Sequence, residues 1–512
     1  MAKLSAFPSC NSRFWSGHPA LFVCIPAILG VYVPKITLAY LSCLALLLLF
    51  PFILSFDYQR IALFILTLLL FSYHSYQAHF VPFLPQKGVH GEAEIEIIAI
   101  AEGRKHHYAF WKYQAYLRLF SSEEGPLPLH RKSPITFTMP KNSARLLGHG
   151  TYKISGTLLP TEHDKLLFKP DKKSQPIFLE QGWHLGELRF LTKKHVESYL
   201  KSNFTEERSR SFIQGLATGD FQDPTMMQEL GRFGLQHIMA ISGFHFSILT
   251  VLLASILRGF LSRRSLAILL IALLSSYFLL LGLRPSIFRA WLGASLYLSS
   301  TLIERINSPL NNLGIALMIL LVIDPLYLFN IGCQLSFLAS AAILFFYQPC
   351  HGAITKILRK RNLSEASQMN STNQHGYLLL SFFVSGLALS LAVHGVLLPY
   401  LLQIFGKFPV LSILYNLFFP FAVSIIMCLL IIGSFCSLIC PPLAVMIHQV
   451  NQSLTEALLG MVYNIPTSFD SVIQVEEISP TFVGLFLVAA LHLGIYCYQL
   501  HREAKEELFY CL

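Results

Sequence analysis

The chain has 512 residues, of which 54% are hydrophobic and only 13% are charged, about half the charged share of an ordinary soluble domain. This composition excludes a soluble enzyme, a disordered tail protein and a disulfide-stapled secreted module, because so much apolar surface is stable only where much of it faces lipid. The net charge of +10, from 38 basic and 28 acidic residues, requires either positive cytoplasmic loops or a polyanionic partner.

Three apolar runs open the chain and predict a three-helix membrane anchor over residues 1–75. A helix that crosses a bilayer needs roughly 20 apolar residues, and the runs at 19–34, 36–56 and 60–74 approach that length. No small-residue cleavage site follows the first run, so we interpret it as an anchor and not as a removed signal peptide.

Residues 76–186 are polar and alternate between apolar and polar positions, which predicts short β-strands. Five such strands favour a small OB-like barrel outside the membrane, while a small β-sandwich stays open as an alternative. None of the ten cysteines falls between Cys43 and Cys333, so this segment holds no disulfide and no thiolate metal site. The strands are predicted at 92–101, 111–120, 134–139, 150–159 and 165–169.

The strand 111–120 carries an unusual face. Simple alternation places five side chains on it: Lys112, Gln114, Tyr116, Arg118 and Phe120. Cations that meet phosphates and rings that stack on bases suit single-stranded nucleic acid, and the adjoining Arg104 and Lys105 add charge. A solvated strand face is the ordinary alternative.

Positive charge is concentrated in and just after this β-domain. Residues 81–210 contain 20 Lys and Arg against 14 Asp and Glu, a net charge of +6. The segment is predicted to lie outside the cytoplasm, where the positive-inside rule does not explain such an excess. A polyanionic partner outside the membrane would explain it.

Residues 187–235 are predicted to form an amphipathic and re-entrant segment. Leu188, Leu191, His195 and Tyr199 recur near helical spacing, with lysines on the opposite face. This pattern suits a helix lying at the membrane surface, and a plain surface helix fits it equally.

Residues 236–512 are predicted to form a bundle of nine further spans, which brings the total to about twelve transmembrane helices. Basic residues near 258–264 and in the loop 349–375 lie on one side of these spans, which the positive-inside rule assigns to the cytoplasm. The spans are predicted near 237–257, 265–283, 286–303, 309–329, 331–348, 376–398, 411–435, 436–463 and 480–499.

The start of this bundle is too polar for a passive span. Ionisable groups at membrane depth are costly, so they usually face a bundle interior or an aqueous path, and glycines there permit close packing and helix breaks. The residues that carry this prediction of a constriction are Gly219, Asp220, His237, Ser242, Gly243 and His245.

At this point the sequence resembles the ComEC family of competence proteins, the inner-membrane channels for transforming DNA. The resemblance begins with GLATGD and GLQHIMAISGFH within 215–247. It continues with PSIFRAW at 285–291 and with DPLYLFNIGCQLSF at 324–337, where Cys333 replaces the usual Phe. A Pro … Phe-Gly … Asn … Pro pattern follows at 399–420.

The resemblance implies a channel that passes single-stranded DNA into the cytoplasm. Arg289 lies in an apolar run, where a permanent cation is expensive unless it meets an anion. A passing phosphate backbone would supply that anion, and Gln334, Ser336 and Asn416 would line the same path with neutral groups. The alternative is that Arg289 forms a structural ion pair with Asp324 or Glu304.

Many ComEC-like proteins continue into a domain resembling a metallo-β-lactamase, with a His-x-His-x-Asp-His motif, and we expect this chain to be a form without it. No such motif and no P-loop occurs in the sequence. We therefore predict no catalytic residue, metal site or cofactor. The resemblance implies a periplasmic DNA receptor and a cytoplasmic helicase-like motor as partners, and a homo-oligomer stays open.

Two other classes of protein remain as alternatives. A small-solute permease or lipid flippase would be favoured by paired broken helices in two repeated halves, and the sequence shows no clear repeat. A membrane-embedded hydrolase could use Asp220, His237 or His245, but neither a Ser-His-Asp spacing nor a metal-ligand set supports it.

Overall fold

A computed structural model of the chain contains a β-domain, a set of short connecting helices and a helical bundle. The structure describes the chain except for residues 1–13, 34–57, 79–84, 86–87, 106–107, 123–124, 128–132, 161–165, 172–173, 183, 222, 240, 242, 306, 358–369, 467–469 and 511–512. Side chains are likewise not described at 104, 105, 108, 357 and 503–510.

Seven described strands form one sheet in the polar part of the chain. They are β1 (Val89–Lys105), β2 (Tyr108–Ser122), β3 (Gly125–Pro126), β4 (Ser133–Pro140), β5 (Gly150–Pro160), β6 (Leu166–Pro170) and β7 (Ile177–Gln181). The order is β1-β2-β4-β6-β5-β7, and β1 also pairs with β5, so five strands close on themselves. Only β4 and β6 pair in parallel. Each of the five strands expected from alternation is a strand in the structure.

Alternation fails at the end of β2, which corrects one expectation. Phe120 is fully buried and Leu119 is exposed, the reverse of the predicted faces. On β1, Glu94 lies opposite Leu119 whereas Ile95 lies opposite Leu117, so β2 carries one extra residue at this point. Such a bulge moves every later side chain to the other face of the strand.

The described helices follow in chain order. They are α1 (Pro19–Tyr32), α2 (Tyr58–Ala78), α3 (Gly186–Asn203), α4 (Glu207–Thr218), α5 (Pro224–Arg232), α6 (Gln236–Met239), α7 (Gly243–Leu257), α8 (Arg263–Leu281), α9 (Pro285–Leu302), α10 (Pro309–Ile323), α11 (Ile331–Ile357), α12 (Ser371–Phe405), α13 (Ser412–Ile439), α14 (Pro441–Tyr463) and α15 (Pro480–Tyr510). A 3-10 turn (Pro325–Phe329) precedes α11, and two short strands, β8 (Lys407–Pro409) and β9 (Val472–Gln474), pair with each other.

Six of the described helices are long and apolar enough to cross a membrane, namely α2, α8, α11, α12, α13 and α15. Three shorter apolar helices accompany them, namely α1, α7 and α10. The chain is therefore a largely helical membrane protein with a small β-domain. The total of about twelve spans stays a prediction, and the predicted span 36–56 lies outside the described residues.

Two predicted boundaries differ from the structure. The loop 349–375 is shorter than predicted, because α11 continues to Ile357 and α12 already begins at Ser371. Hydropathy reports where apolar side chains end, whereas backbone hydrogen bonds carry a helix on into polar sequence. The predicted span 237–257 is interrupted, since α6 ends at Met239 and α7 begins at Gly243.

Helix α3 fastens the β-domain to the bundle. Phe190 packs against the β-domain core. Arg145 donates two hydrogen bonds to the Glu187 carboxylate, at 2.9 and 2.6 Å, and the backbone N–H of Gly148 donates a third at 2.8 Å. Further along α3, Nζ of Lys193 donates a hydrogen bond to the carboxylate of Asp220, which follows α4. Helix α3 therefore contacts both the β-domain and the chain that leads into the bundle.

We expect Glu187→Gln to loosen this joint. Burial raises the pKa of Glu187, but the hydrogen bonds from Arg145 and Gly148 outweigh it and hold that pKa below its usual range. The amide removes a charge-assisted pairing of about 1–3 kcal/mol. Faster hydrogen–deuterium exchange around Gly148 and the start of α3 is the expected result.

The control for this experiment is Glu207→Gln, an exposed glutamate in the first turn of α4. A group whose pKa is lowered by folding stabilises the fold above its unfolded pKa and loses that effect as the pH falls through its folded pKa. Protection from exchange in the parent protein, corrected for the pH dependence of the intrinsic exchange rate, should therefore stay high at neutral and mildly acidic pH and fall only below that range. Equal exchange in both variants would contradict the role of Glu187.

Candidate nucleic-acid path

The guanidinium of Arg289 lies among three helices of the bundle. Its Nε donates a hydrogen bond to Oγ of Ser336 on α11 at 2.9 Å. On its other side lies Gly243, the first residue of α7, where an ideal Cβ would sit only 3.3 Å from Nη2 of Arg289. Three predicted channel residues are therefore brought together, and a glycine is what lets the guanidinium approach the α7 backbone so closely.

The structure shows no ion pair for Arg289 within the part of the chain that it describes. Glu304, one partner left open by the sequence, instead faces Arg264 at 3.4 Å. Asp324, the other, accepts a hydrogen bond from the backbone N–H of Leu326 at the start of the 3-10 turn. The positive charge of Arg289 is thus bonded to a neutral hydroxyl.

Arg289 and its two neighbours lie near the N-terminal ends of their helices. Arg289 lies in the second turn of α9 and Ser336 in the second turn of α11, while Gly243 opens α7. The first N–H groups of a helix lack intrahelical partners, and the aligned peptide dipoles give this end a partial positive charge. The start of α7 at Gly243, which lies against Arg289, therefore adds to the positive potential at the guanidinium.

Histidines continue this environment. His237 is solvent-exposed, and its Nδ1 lies 3.1 Å from the carbonyl oxygen of Gly234. It lies within electrostatic range of both His245 and His394, and His245 is buried. His394 on α12 was not found from the sequence, because it comes from a distant helix and stands outside the motifs.

Gln334 has a bridging position. The hydroxyl of Tyr400 on α12 donates to its Oε1, and its Nε2 donates to the carbonyl oxygen of Leu328 at 2.8 Å. The Nε2 also reaches the hydroxyl of Tyr32 on α1 at 3.4 Å. The amide thereby ties α1, α11 and α12 together, two residues before Ser336.

Gly219 and Asp220 lie at a different place, between α4 and the start of α9. Gly219 ends α4 in the left-handed conformation (φ 73°), and its carbonyl oxygen accepts a hydrogen bond from Nη1 of Arg284 at 2.9 Å. Asp220 accepts hydrogen bonds from Lys193 at 2.5 Å and from Nη2 of Arg284 at 2.9 Å. We name this group, Lys193, Asp220 and Arg284, the Asp220 lock.

The exposed face of β2 continues onto β4. Lys112 and Gln114 are exposed and Tyr116 is partly exposed. Across the strand pair, Thr138 lies opposite Lys112 and Thr136 opposite Gln114, which gives a polar surface with one cation and one aromatic ring.

Arg118 is held by two carboxylates and is therefore less available to a ligand than Lys112. Its Nε donates to the buried carboxylate of Glu96 at 2.8 Å, and its Nη1 donates to Glu180. Hydrogen bonds to Glu96 and Glu180 raise the pKa of the Arg118 guanidinium. Its charge is therefore matched by carboxylates of β1 and β7, which are remote from it in sequence.

The remaining predicted site residues add less to the description of the site. Asn416 lies on α13, and its buried Oδ1 accepts no hydrogen bond from any residue that the structure describes. Ser242 and the side chains of Arg104 and Lys105 lie outside the described residues. Among the described residues, no group of three or more His, Cys, Asp or Glu could hold a metal ion.

Comparison with known proteins agrees with the motifs around this path. The family model described as "Competence protein" matches residues 216–500. The chain belongs to the competence protein family. The resemblance to the ComEC family seen in the sequence is thereby confirmed.

One curated relative shows how far the likeness extends. Over 156 residues, which make up 30% of the chain, the sequence is 32% identical to that of the ComE operon protein 3 of Bacillus subtilis (strain 168). The alignment covers 20% of that relative, so the chain spans about a fifth of its length. No solved structure matches the chain.

We expect Asp220→Asn to destabilise the protein. The substitution removes the one carboxylate of the Asp220 lock and leaves Lys193 and Arg284 facing each other, each charge-assisted hydrogen bond contributing roughly 1.5–3 kcal/mol in a part-buried setting. The unfolding temperature in detergent should fall by several degrees. Glu304→Gln, which touches only an exposed ion pair, should leave it unchanged, and equal unfolding temperatures for both variants would contradict the lock.

Proposed function

We propose that this competence-family chain is an inner-membrane channel through which single-stranded DNA enters the cytoplasm during natural competence. The observation that carries the proposal is Arg289, a permanent cation bonded only to a neutral hydroxyl in the described structure and lying against the start of α7 at Gly243. A cation in such surroundings is costly unless an anion visits it. A DNA phosphate is the anion that the family points to.

The β-domain supports the nucleic-acid part of this proposal. Its closed strand path, β1-β2-β4-β6-β5-β1 with β4 and β6 parallel, is the connectivity of an OB fold. OB folds bind oligonucleotides on the face of their second and third strands, which correspond here to β2 and β4. Lys112 and Tyr116 lie on that face, where a cation can meet a phosphate and a ring can stack on a base.

The same face leads towards the bundle. Tyr116 lies within electrostatic range of Tyr327 in the 3-10 turn before α11. Gln334 and Ser336 follow on α11, and Ser336 bonds to Arg289. A strand held on β2 and β4 would therefore meet the bundle near the helices that surround the guanidinium.

In this proposal the protein has no catalytic role, and its β-domain lies in the periplasm. A periplasmic receptor would deliver DNA and a helicase-like motor in the cytoplasm would pull it, because the sequence contains no P-loop. Self-association into a homo-oligomer is compatible with it. The alternative, a small-solute permease or lipid flippase, predicts that loss of the protein leaves DNA uptake intact.

Arg289→Ala tests the proposal directly. Loss of charge-assisted contacts of about 1.5–3 kcal/mol should lower nuclease-protected internal DNA by roughly tenfold or more, with the protein level unchanged. The matched control is Arg264→Ala, an exposed arginine of the same bundle. Normal uptake in the Arg289 variant would remove Arg289 from the path, and normal uptake in a deletion strain would favour the permease alternative.

Lys112→Gln tests the β-domain face separately. Binding of a single-stranded oligonucleotide to the full chain in nanodiscs, followed by fluorescence anisotropy, should weaken uniformly across sequences. The slope of log affinity against log salt should fall by roughly 1, since one phosphate contact is lost. Lys169→Gln on β6 changes an exposed lysine outside this face and is the control. The same loss in both variants would show non-specific attraction only.

A further inference from the structure

An exposed apolar surface runs along the segment that joins the β-domain to the bundle. Within residues 177–191, six large apolar side chains are between 39% and 61% exposed. They are Ile177, Phe178, Leu179, Leu185, Leu188 and Leu191. A group of exposed apolar side chains of this kind marks a place that meets another apolar phase.

The strand part of this segment is an open edge. All five residues of β7 are exposed, and β7 pairs only with β5 among the described strands. Water-facing edges are usually protected by charges, prolines or bulges. This edge has a bulge at Leu179, which has no partner on β5, and Phe178 packs against the ring of Tyr152, yet Ile177, Phe178 and Leu179 all stay exposed.

The helical part has three distinct sides. Phe190 and Lys194 face the β-domain, where Lys194 bonds to Glu102 at 2.7 Å. Arg189 and Lys193 face the bundle. The third side carries Leu188 and Leu191 and contacts neither, which leaves it as an apolar face on an amphipathic helix.

The start of α3 is bonded to a helix of the bundle. Nε of Arg189 donates a hydrogen bond at 2.6 Å to the carbonyl oxygen of Leu279, in the last turn of α8. Leu279 and Leu283 are themselves exposed, and α8 is one of the six helices fit to cross the bilayer. The start of α3 therefore lies beside the last turn of a helix that is fit to cross the bilayer.

Basic residues lie beside this surface. Arg189, Lys193 and Arg284 carry three positive charges, against which the described structure sets one carboxylate, Asp220. The local excess of two positive charges complements the phosphate groups of phospholipids. Apolar side chains next to basic ones are typical of helices that lie in a membrane interface.

We propose that β7 and the start of α3, residues 177–182 and 184–191, form a membrane-surface anchor whose apolar side chains enter the leaflet nearest the β-domain, with lipid phosphates against Arg189 and Arg284. It fixes the β-domain at a set height above the bundle through contact with phospholipid. The inference does not depend on what the bundle transports.

Photocrosslinking of the full chain in nanodiscs tests the anchor. The variant Leu188→p-benzoylphenylalanine is irradiated, and adducts are identified by mass spectrometry. A phospholipid adduct is the expected result, and the same photoreactive residue in place of Lys169 on β6 should give none. An adduct only with a second copy of the chain, only with added single-stranded oligonucleotide, or with nothing at all would overturn the proposal.

Lipid composition tests the role of the basic residues. Nanodiscs that contain phosphatidylglycerol should give a higher adduct yield at position 188 than nanodiscs of phosphatidylcholine alone. Adding Arg189→Gln should reduce that preference by about fivefold, the effect of one basic residue near an anionic surface. The lipid preference at position 188 is measured first with arginine retained at position 189, so this first result does not depend on the Arg189→Gln variant. Equal yields in both lipids would overturn the assignment of phosphates to the basic residues.

Discussion

The interaction on which the bundle's chemistry depends is the contact between a guanidinium and a hydroxyl inside an apolar protein. Moving a cation away from water costs several kcal/mol even after relaxation, and one neutral hydrogen bond recovers only part of that. Most membrane proteins resolve this cost with a carboxylate. Here the guanidinium of Arg289 lies against the start of α7, and in the proposed channel its unmatched charge would attract a mobile anion.

The Asp220 lock shows that the same chain pairs its charges where structure requires it. Lys193 and Arg284 share the carboxylate of Asp220, and Arg284 also holds the carbonyl of Gly219. This arrangement connects α3, α4 and α9 and stiffens the part of the bundle that meets the β-domain. The charges of the Asp220 lock are matched by a carboxylate, whereas Arg289 is bonded to a hydroxyl.

Sequence reasoning found elements better than it found contacts. Alternation located all five barrel strands, and the motifs located Gly243, Arg289 and Ser336 before any geometry was known. Alternation could not foresee the bulge that reverses Leu119 and Phe120, since a bulge depends on the partner strand. Nor could it foresee the carboxylates that neutralise Arg118, because β1 and β7 reach Arg118 only through the closure of the barrel.

Transport of a polyanion requires that strong contacts along its path be few. A row of unpaired arginines would bind every phosphate tightly and stop the strand, whereas conduction needs contacts favourable enough to admit it and weak enough to release it. The described path offers one lysine and one tyrosine on the β-domain face, then a single guanidinium flanked by neutral hydroxyl and amide groups. In the proposed channel such a path would select for an anion but give it no direction. Directed movement must therefore come from a force applied to the strand itself, which is why the proposed channel needs a motor on the cytoplasmic side.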